Sequence, residues 1–151
     1  MPFEGDIMLL LESSYYAFGF YAAVNALIVL VLSMRVVRAR FKTNTAIGDG
    51  GKPEMAAPLR AHANSAEYVP VALILLWALA SPLGRSIWLI HGMGVTLTVG
   101  RILHAIGLSR SIGPSPLRLA GMVLTWIALV VGIAAVLWFV LIPQQNPTLS
   151  P

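Results

Sequence analysis

Five side chains in the middle of the sequence have the types and spacing of an anion-binding site. Arg60, Asn64 and Glu67 are separated by four and three residues, so one face of a helix carries all three. Arg101 and His104 are three residues apart and share a face of another helix. Guanidinium groups bind carboxylates through two parallel hydrogen bonds. The spacing therefore predicts a polar site for a ligand that carries carboxylate groups.

Two further arginines strengthen this interpretation, because Arg35 ends the first apolar run and Arg118 begins the last. With Arg60 and Arg101 they place four positive charges against Glu67, and the excess favours an anion from outside the chain. A plainer interpretation stays open for each residue alone, since interfacial arginines are ordinary in membrane proteins. As a set, ionisable side chains at membrane depth exceed what topology requires, and they usually face a bundle interior or a wet cavity.

The elements that must position these residues are four apolar runs. The chain is 58% hydrophobic and 11% charged, whereas soluble domains carry about 25% charged residues. Uncharged runs cover residues 13–34, 68–84, 86–100 and 119–142. About 20 residues span a hydrocarbon core, so the two short middle runs must continue as helices through charged residues. Helices are therefore predicted at about 13–40, 55–80, 85–108 and 116–142.

These helices predict an all-α fold, an integral membrane four-helix bundle that forms a single domain over residues 1–151. No alternating pattern indicates strands, and helices satisfy their own backbone groups in lipid. The tail over residues 143–151 contains three prolines and is predicted to be disordered.

The distribution of basic residues predicts the orientation. Only Arg85 lies on the side of the two termini, and the other nine of the ten Lys and Arg residues lie on the opposite side. By the positive-inside rule that opposite side is cytoplasmic, so both termini are expected outside the cytoplasm. The nine are Arg35, Arg38, Arg40, Lys42, Lys52, Arg60, Arg101, Arg110 and Arg118.

Several other functions have no support in the sequence. The chain has no cysteine, and His62, His91 and His104 lack the spacing of metal ligands, so no metal site is predicted. The basic residues lie at the ends of apolar runs, which does not favour nucleic-acid binding. Asn25 is interpreted as an interhelical hydrogen-bonding residue, and His91 as a satisfied packing residue.

The segment 59–70, with the sequence LRAHANSAEYVP, resembles the signature of the MAPEG family, the membrane-associated proteins in eicosanoid and glutathione metabolism. Its Arg60, Asn64, Glu67 and Pro70 have the spacing of that family's second helix. The segments 100–104 and 116–118 are similar to the family's third helix and to the start of its fourth. Arg35 matches the basic residue that ends its first helix, and the resemblance extends over residues 13–142.

The resemblance implies a bacterial, inner-membrane homotrimer that binds glutathione between neighbouring subunits near the cytoplasmic face. It implies a glutathione-dependent transferase or peroxidase that acts on lipophilic small molecules, with Arg118 as the catalytic residue that stabilises the glutathione thiolate. Arg60 and Arg101 would support the site through ion pairs. The implied glutathione contacts are Arg35, Asn64, Glu67, His104 and Arg118.

The sequence also differs from the family's characterised enzymes. Ala63 replaces a second arginine of some eukaryotic members, Leu108 and Met122 replace tyrosines, and Leu119 replaces a serine of the isomerase-type member. These differences keep open the alternative of a non-catalytic protein that binds membrane lipid or a partner. A small drug or ion transporter is a further alternative, which four spans would suit.

Overall fold

The computed structural model describes residues 13–81, 86–110 and 113–142, and four helices occupy nearly all of them. The helices are α1 (Ser14–Thr43), α2 (Pro53–Ala80), α3 (Ile87–Arg110) and α4 (Pro116–Leu141). Across these ranges no strand is present, so the all-α fold predicted from the sequence is confirmed. Arg85 and the predicted disordered tail 143–151 lie outside the described residues.

The helix ends differ from the predicted ones for local reasons. α1 continues to Thr43 because Asn44 terminates it in the left-handed conformation, with φ of 50°, and donates its N–H to the last turn. α2 begins at Pro53, since proline suits the first helical position, where an N–H would have no partner. α3 begins two residues later than predicted and ends two residues later, at Arg110.

All four helices are long and apolar enough to cross a membrane. The shortest of these spans, Ile87–Ser109, has 23 residues, which corresponds to about 35 Å at 1.5 Å per residue. A hydrocarbon core is about 30 Å thick. Each helix therefore exceeds the thickness of the core, and its ends reach the headgroup regions.

α1 and α4 each pack against both α2 and α3, which also contact each other at the centre of the bundle. The larger hydrophobic cluster lies towards the end of the bundle where α1 begins, and it includes Tyr21, Leu76, Met93 and Ala128. This cluster leaves the other end of the bundle to the polar residues that were predicted to form a site.

The contact between α3 and α4 depends on glycine. A Cβ atom at Gly107 would lie 2.5 Å from the backbone nitrogen of Arg118, and one at Gly121 would lie 2.6 Å from the carbonyl oxygen of Gly100. No real Cβ atom is accommodated at such distances, so the two backbones are in direct contact, as small residues allow between membrane helices.

Gly121→Ala is therefore expected to lower the free energy of unfolding by about 1–3 kcal/mol, because the added methyl group forces α3 and α4 apart. Gly92→Ala is the matched control, since a Cβ at Gly92 meets nothing within 4 Å. It should be neutral or stabilising by up to about 1 kcal/mol, the helix-propensity difference between the two residues. Thermal unfolding in detergent micelles measures both variants, and equal shifts would contradict this account of the contact.

Candidate functional site

Arg101 lies at the centre of a buried polar network and has no solvent-exposed surface. One terminal nitrogen, Nη2, donates to the side-chain oxygen of Asn64 at 2.7 Å and to Ser65 Oγ at 3.2 Å. The other, Nη1, donates to Thr125 Oγ1 at 3.4 Å. A single guanidinium group thus joins α3 to α2 and α4.

His104 extends this network by one turn of α3. Its Nδ1 atom lies 3.3 Å from Arg101 Nη2, and because arginine is only a donor, Nδ1 is the acceptor in this contact. The His104 side chain is buried, with 3% of its surface exposed. Arg101 and His104 therefore form one unit, as their spacing predicts.

The network holds a buried cation among neutral partners. The predicted support of the site by Arg101 through an ion pair is not seen here, because its partners in the described chain are an amide, two hydroxyl groups and an imidazole. Its Nε atom is buried without a hydrogen-bond partner. Taking a charge out of water costs several kcal/mol per ion. An anion near this end of the bundle would offset part of that cost.

The polar residues of α2 differ in whether their side chains are buried in the bundle or exposed. Asn64 is half-buried and points to the network, whereas Arg60 and Glu67 are exposed in the single chain. At 3.6 residues per turn, Asn64 is rotated by about 60° from Glu67 towards the buried face that carries Ser65. The three residues do share one broad face of α2, as predicted from the sequence. Asn64 lies at the edge that enters the bundle interior, and Arg60 and Glu67 lie at the edge on the surface of the single chain.

Arg35 lies away from the network, at the end of a groove between α1 and α3. Its Nη1 atom donates to Ser109 Oγ at 2.5 Å. The groove, here the α1–α3 groove, has a volume of about 470 Å³. Aliphatic side chains form most of its surface, and Arg35 and Ser109 form its polar end; the lining residues are Leu27, Ile28, Val31, Leu32, Arg35, Ile102, Ala105, Ile106 and Ser109.

Arg118 occupies the first turn of α4 and is half-buried. It lines a cleft of about 680 Å³, here the α4 cleft, together with the connection before the helix. The other side chains of the cleft that belong to α4 are apolar: Pro116, Leu119, Met122 and Trp126. Leu119 and Trp126 are largely exposed, so the cleft opens towards the surroundings of the bundle.

A single chain therefore brings together Asn64, Arg101 and His104, with Arg118 close enough to His104 for their charges to interact. It places Arg35, Arg60 and Glu67 on exposed surfaces. Two members of the network, Ser65 and Thr125, were missed by the sequence interpretation. The signal that could have found Thr125 is a hydroxyl residue one turn after Gly121, within an otherwise apolar span.

A second polar group lies nearer the end of the bundle where α1 begins. The predicted interhelical hydrogen bond of Asn25 is confirmed, because its side-chain nitrogen donates to Thr98 Oγ1 at 2.9 Å. His91 accepts or donates one hydrogen bond, at 2.9 Å between its Nδ1 atom and the hydroxyl group of Tyr21. Its Nε2 atom is buried without a partner, so His91 is only half satisfied within the described chain.

Comparison with known proteins identifies relatives for almost the whole bundle. The sequence model of the MAPEG family matches residues 18–138. The protein named Inner membrane protein YecN, from Escherichia coli strain K12, is 35% identical over 119 residues, which are 79% of this chain and 88% of the relative. The protein of the same name from Escherichia coli O6:H1 strain CFT073 has the same identity and coverage. No solved structure matches the chain.

Proposed function

The chain belongs to the MAPEG family, and on this premise we propose that it is a membrane-bound, glutathione-dependent transferase or peroxidase. In the transferase reaction, the sulfur of glutathione forms a bond to an electrophilic carbon of a lipophilic molecule, and the leaving group departs with its electron pair. Glutathione is the co-substrate, and the residues proposed to bind it are Arg35, Asn64, Glu67, His104 and Arg118.

The observation that carries this proposal is the position of Arg118 in an apolar cleft. Its side chain lines the α4 cleft beside Leu119 and Met122. A free thiol has a pKa of about 8.5, and a nearby cation lowers that pKa towards neutrality. The thiolate is the nucleophile, so an arginine directed at the sulfur can activate glutathione without a protein base. A lipophilic electrophile can reach the same place from the membrane, along the exposed surfaces of Leu119 and Trp126.

The exposed polar residues of α2 support a homotrimer. Glu67 lies 13 residues before Ala80, the last residue of α2, which is about 20 Å of helix within a core of about 30 Å. A charged side chain deep in lipid costs about 2.5–3.5 kcal/mol on insertion scales. A neighbouring subunit that covers Glu67 and Arg60 removes that cost, and it would also supply residues to a glutathione site between subunits.

Glu67→Lys is accordingly expected to weaken the trimer, because it adds a cation to a surface that already carries Arg60. Glu54→Lys is the control on the same helix, since Glu54 is exposed in the first turn of α2 and outside the uncharged run. Native mass spectrometry of the detergent-solubilised protein should give three chains for wild type and for Glu54→Lys, and fewer for Glu67→Lys. A wild-type mass of one chain would contradict the proposal.

We also propose that the protein resides in a bacterial inner membrane with Arg35 and Arg118 at the cytoplasmic end and both termini outside. The name of the relatives supports the compartment, and the excess of basic residues at one end supports the orientation. The chain has no cysteine, so a single cysteine introduced at the exposed Ile47 reports the side of the α1–α2 loop. Labelling of that cysteine by an impermeant reagent in intact cells would contradict the orientation.

One observation favours a second function, a binding protein without catalysis. Leu119 and Met122 beside Arg118 offer no hydrogen bonds, and Leu108 is buried against Leu32 and Ala61 in the core. A tripeptide would have fewer partners here than in a site with tyrosines in place of Leu108 and Met122 and a serine in place of Leu119. The deciding experiment is conjugation of glutathione to a generic aromatic electrophile by the purified protein. Absence of both turnover and heat of glutathione binding at millimolar concentration would favour the binding protein, whose ligand would be membrane lipid or a partner.

A further inference from the structure

Two grooves meet on α1 near the basic end of the bundle. The first is the α1–α3 groove, and the second, here the α1 surface groove, has a volume of about 580 Å³ and follows α1 through Met34, Val37 and Phe41. Val31 and Arg35 line both grooves. Along α1, the first groove therefore runs from Arg35 back to Leu27, and the second runs from Val31 past Arg35 and Arg38 to Phe41.

The depth of these grooves can be read from the sequence of α1. The uncharged part of the helix covers residues 14–34, or about 32 Å, which matches a hydrocarbon core of about 30 Å. Arg35 thus lies at the boundary of the core, and Arg38 lies about 4.5 Å further along the helix, among the headgroups. Leu27, at the deep end of the α1–α3 groove, is about 12 Å before Arg35, close to the thickness of one leaflet.

The charges at the mouth of the grooves favour an anion. Arg35 and Arg38 are three residues apart, and both are exposed. The hydrogen bond of Arg35 to Ser109 is to a neutral hydroxyl group, and no carboxylate among the described residues forms an ion pair with either arginine. Guanidinium groups bind phosphate through two hydrogen bonds, and basic pockets between helices at the membrane surface bind lipid headgroups.

We propose that this surface is a binding site for an anionic phospholipid of the leaflet on the basic side. The phosphate group lies between Arg35 and Arg38, one acyl chain occupies the α1–α3 groove, which runs from Arg35 into the core, and the polar headgroup lies at the Arg38 end of the α1 surface groove. A phospholipid accounts for both features at once: an apolar groove at the depth of the core, and two exposed arginines at its headgroup end. This inference does not rest on the proposed glutathione chemistry, although Arg35 would be shared by the two ligands.

The test uses the purified full-length protein in detergent without glutathione, with phosphatidylglycerol and phosphatidylcholine of the same acyl chains as probes. Native mass spectrometry counts the lipids retained on each chain. Wild type should retain phosphatidylglycerol in preference to phosphatidylcholine. The double variant Arg35→Gln, Arg38→Gln should lower phosphatidylglycerol retention about tenfold or more, the value of a charge-assisted hydrogen bond.

Two single variants separate a specific site from general surface charge. Lys42→Gln removes one charge from the same helix, and Lys42 is exposed and lines neither groove, so its lipid retention should equal that of wild type. Ile106→Trp fills the α1–α3 groove at a partly exposed position. It should lower retention of phosphatidylglycerol while both arginines remain.

Three results would contradict the proposed lipid site. They are equal retention of the two lipids by wild type, equal losses of phosphatidylglycerol retention in Lys42→Gln and the double variant, or no loss of that retention in Ile106→Trp. Cross-links from Ile106 to a second copy in the native membrane would also overturn it, because that copy would then occupy the groove. Since lipid retention is measured without glutathione, failure of the lipid site leaves the proposed function untouched. Absence of conjugation likewise leaves the lipid site untouched.

Discussion

Replacement of Arg118 by alanine is expected to lower the rate of glutathione conjugation about a hundredfold, the usual effect of removing one preorganised donor to a reacting anion. Part of the loss comes from the sulfur itself. A thiol with a pKa of about 8.5 is only about 3% thiolate at pH 7, so the reactive form becomes rare once the cation is gone. The pKa of bound glutathione, followed by the ultraviolet absorbance of the thiolate, should return towards its value in water.

Two further variants show whether Arg118 acts through its charge. Arg118→Lys keeps the charge, and most of the lowering of the thiol pKa should remain, although the two-pronged geometry is lost. Lys42→Ala removes an exposed charge that lines neither the α4 cleft nor the buried network, and its rate should match wild type. An Arg118→Ala protein that stays trimeric and conjugates at the wild-type rate would refute the catalytic role.

Arg101→Ala is expected to have the largest effect on stability, with a loss of about 3–5 kcal/mol, as for other truncations of large buried side chains. The wild-type side chain is fully buried and holds Asn64 and Thr125 from two other helices. Its removal leaves a cavity, and each polar group that loses its partner adds about 1–3 kcal/mol of desolvation cost. Denaturant unfolding in detergent, monitored by circular dichroism, measures the difference.

The exposed Arg38 provides the comparison, since Arg38→Ala should change stability by no more than about 0.5 kcal/mol. Arg101→Lys is the sharper probe, because a lysine carries the same charge but cannot extend donors to α2 and α4 together. We expect it to be destabilised nearly as much as Arg101→Ala. A stable Arg101→Lys protein would mean that charge, and not the shape of the guanidinium group, matters at this position.

The sequence predicted which residues of α3 lie together in the buried network, but it did not predict which polar residues of α1 and α2 lie on the surface. The spacing of Arg101 and His104 placed them on one face of α3, and the structure joins them directly. The spacing of Asn64 and Glu67 also predicts one face, but it does not fix which edge turns inwards, because that depends on how α2 packs against its neighbours. The contact of Arg35 with Ser109 was not predictable for the same reason, since it depends on the relative positions of α1 and α3.

The sequence also does not show which of its glycines lie in close contact with a neighbouring helix. Small residues in membrane spans are typical of close helix packing, and this holds for Gly94, where a Cβ would overlap the ring of Tyr21, and for Gly132, where it would lie 2.8 Å from Met93. It fails for Gly92, which is exposed in the chain. A small residue in an apolar span indicates only that close approach is possible, and the register of the neighbouring helix decides whether it occurs.

The burial of Arg101 has a consequence for the synthesis of the protein. α2 and α3 have lower mean hydropathy than the other two spans, and α3 carries a guanidinium group whose insertion at the centre of a helix costs about 2.5–3.5 kcal/mol when the helix is alone. The hydrogen-bond partners that offset this cost belong to α2, which is synthesised earlier, and to α4, which is synthesised later. α3 therefore gains its full stability in lipid only after the last helix has emerged from the ribosome, so its integration is coupled to completion of the chain.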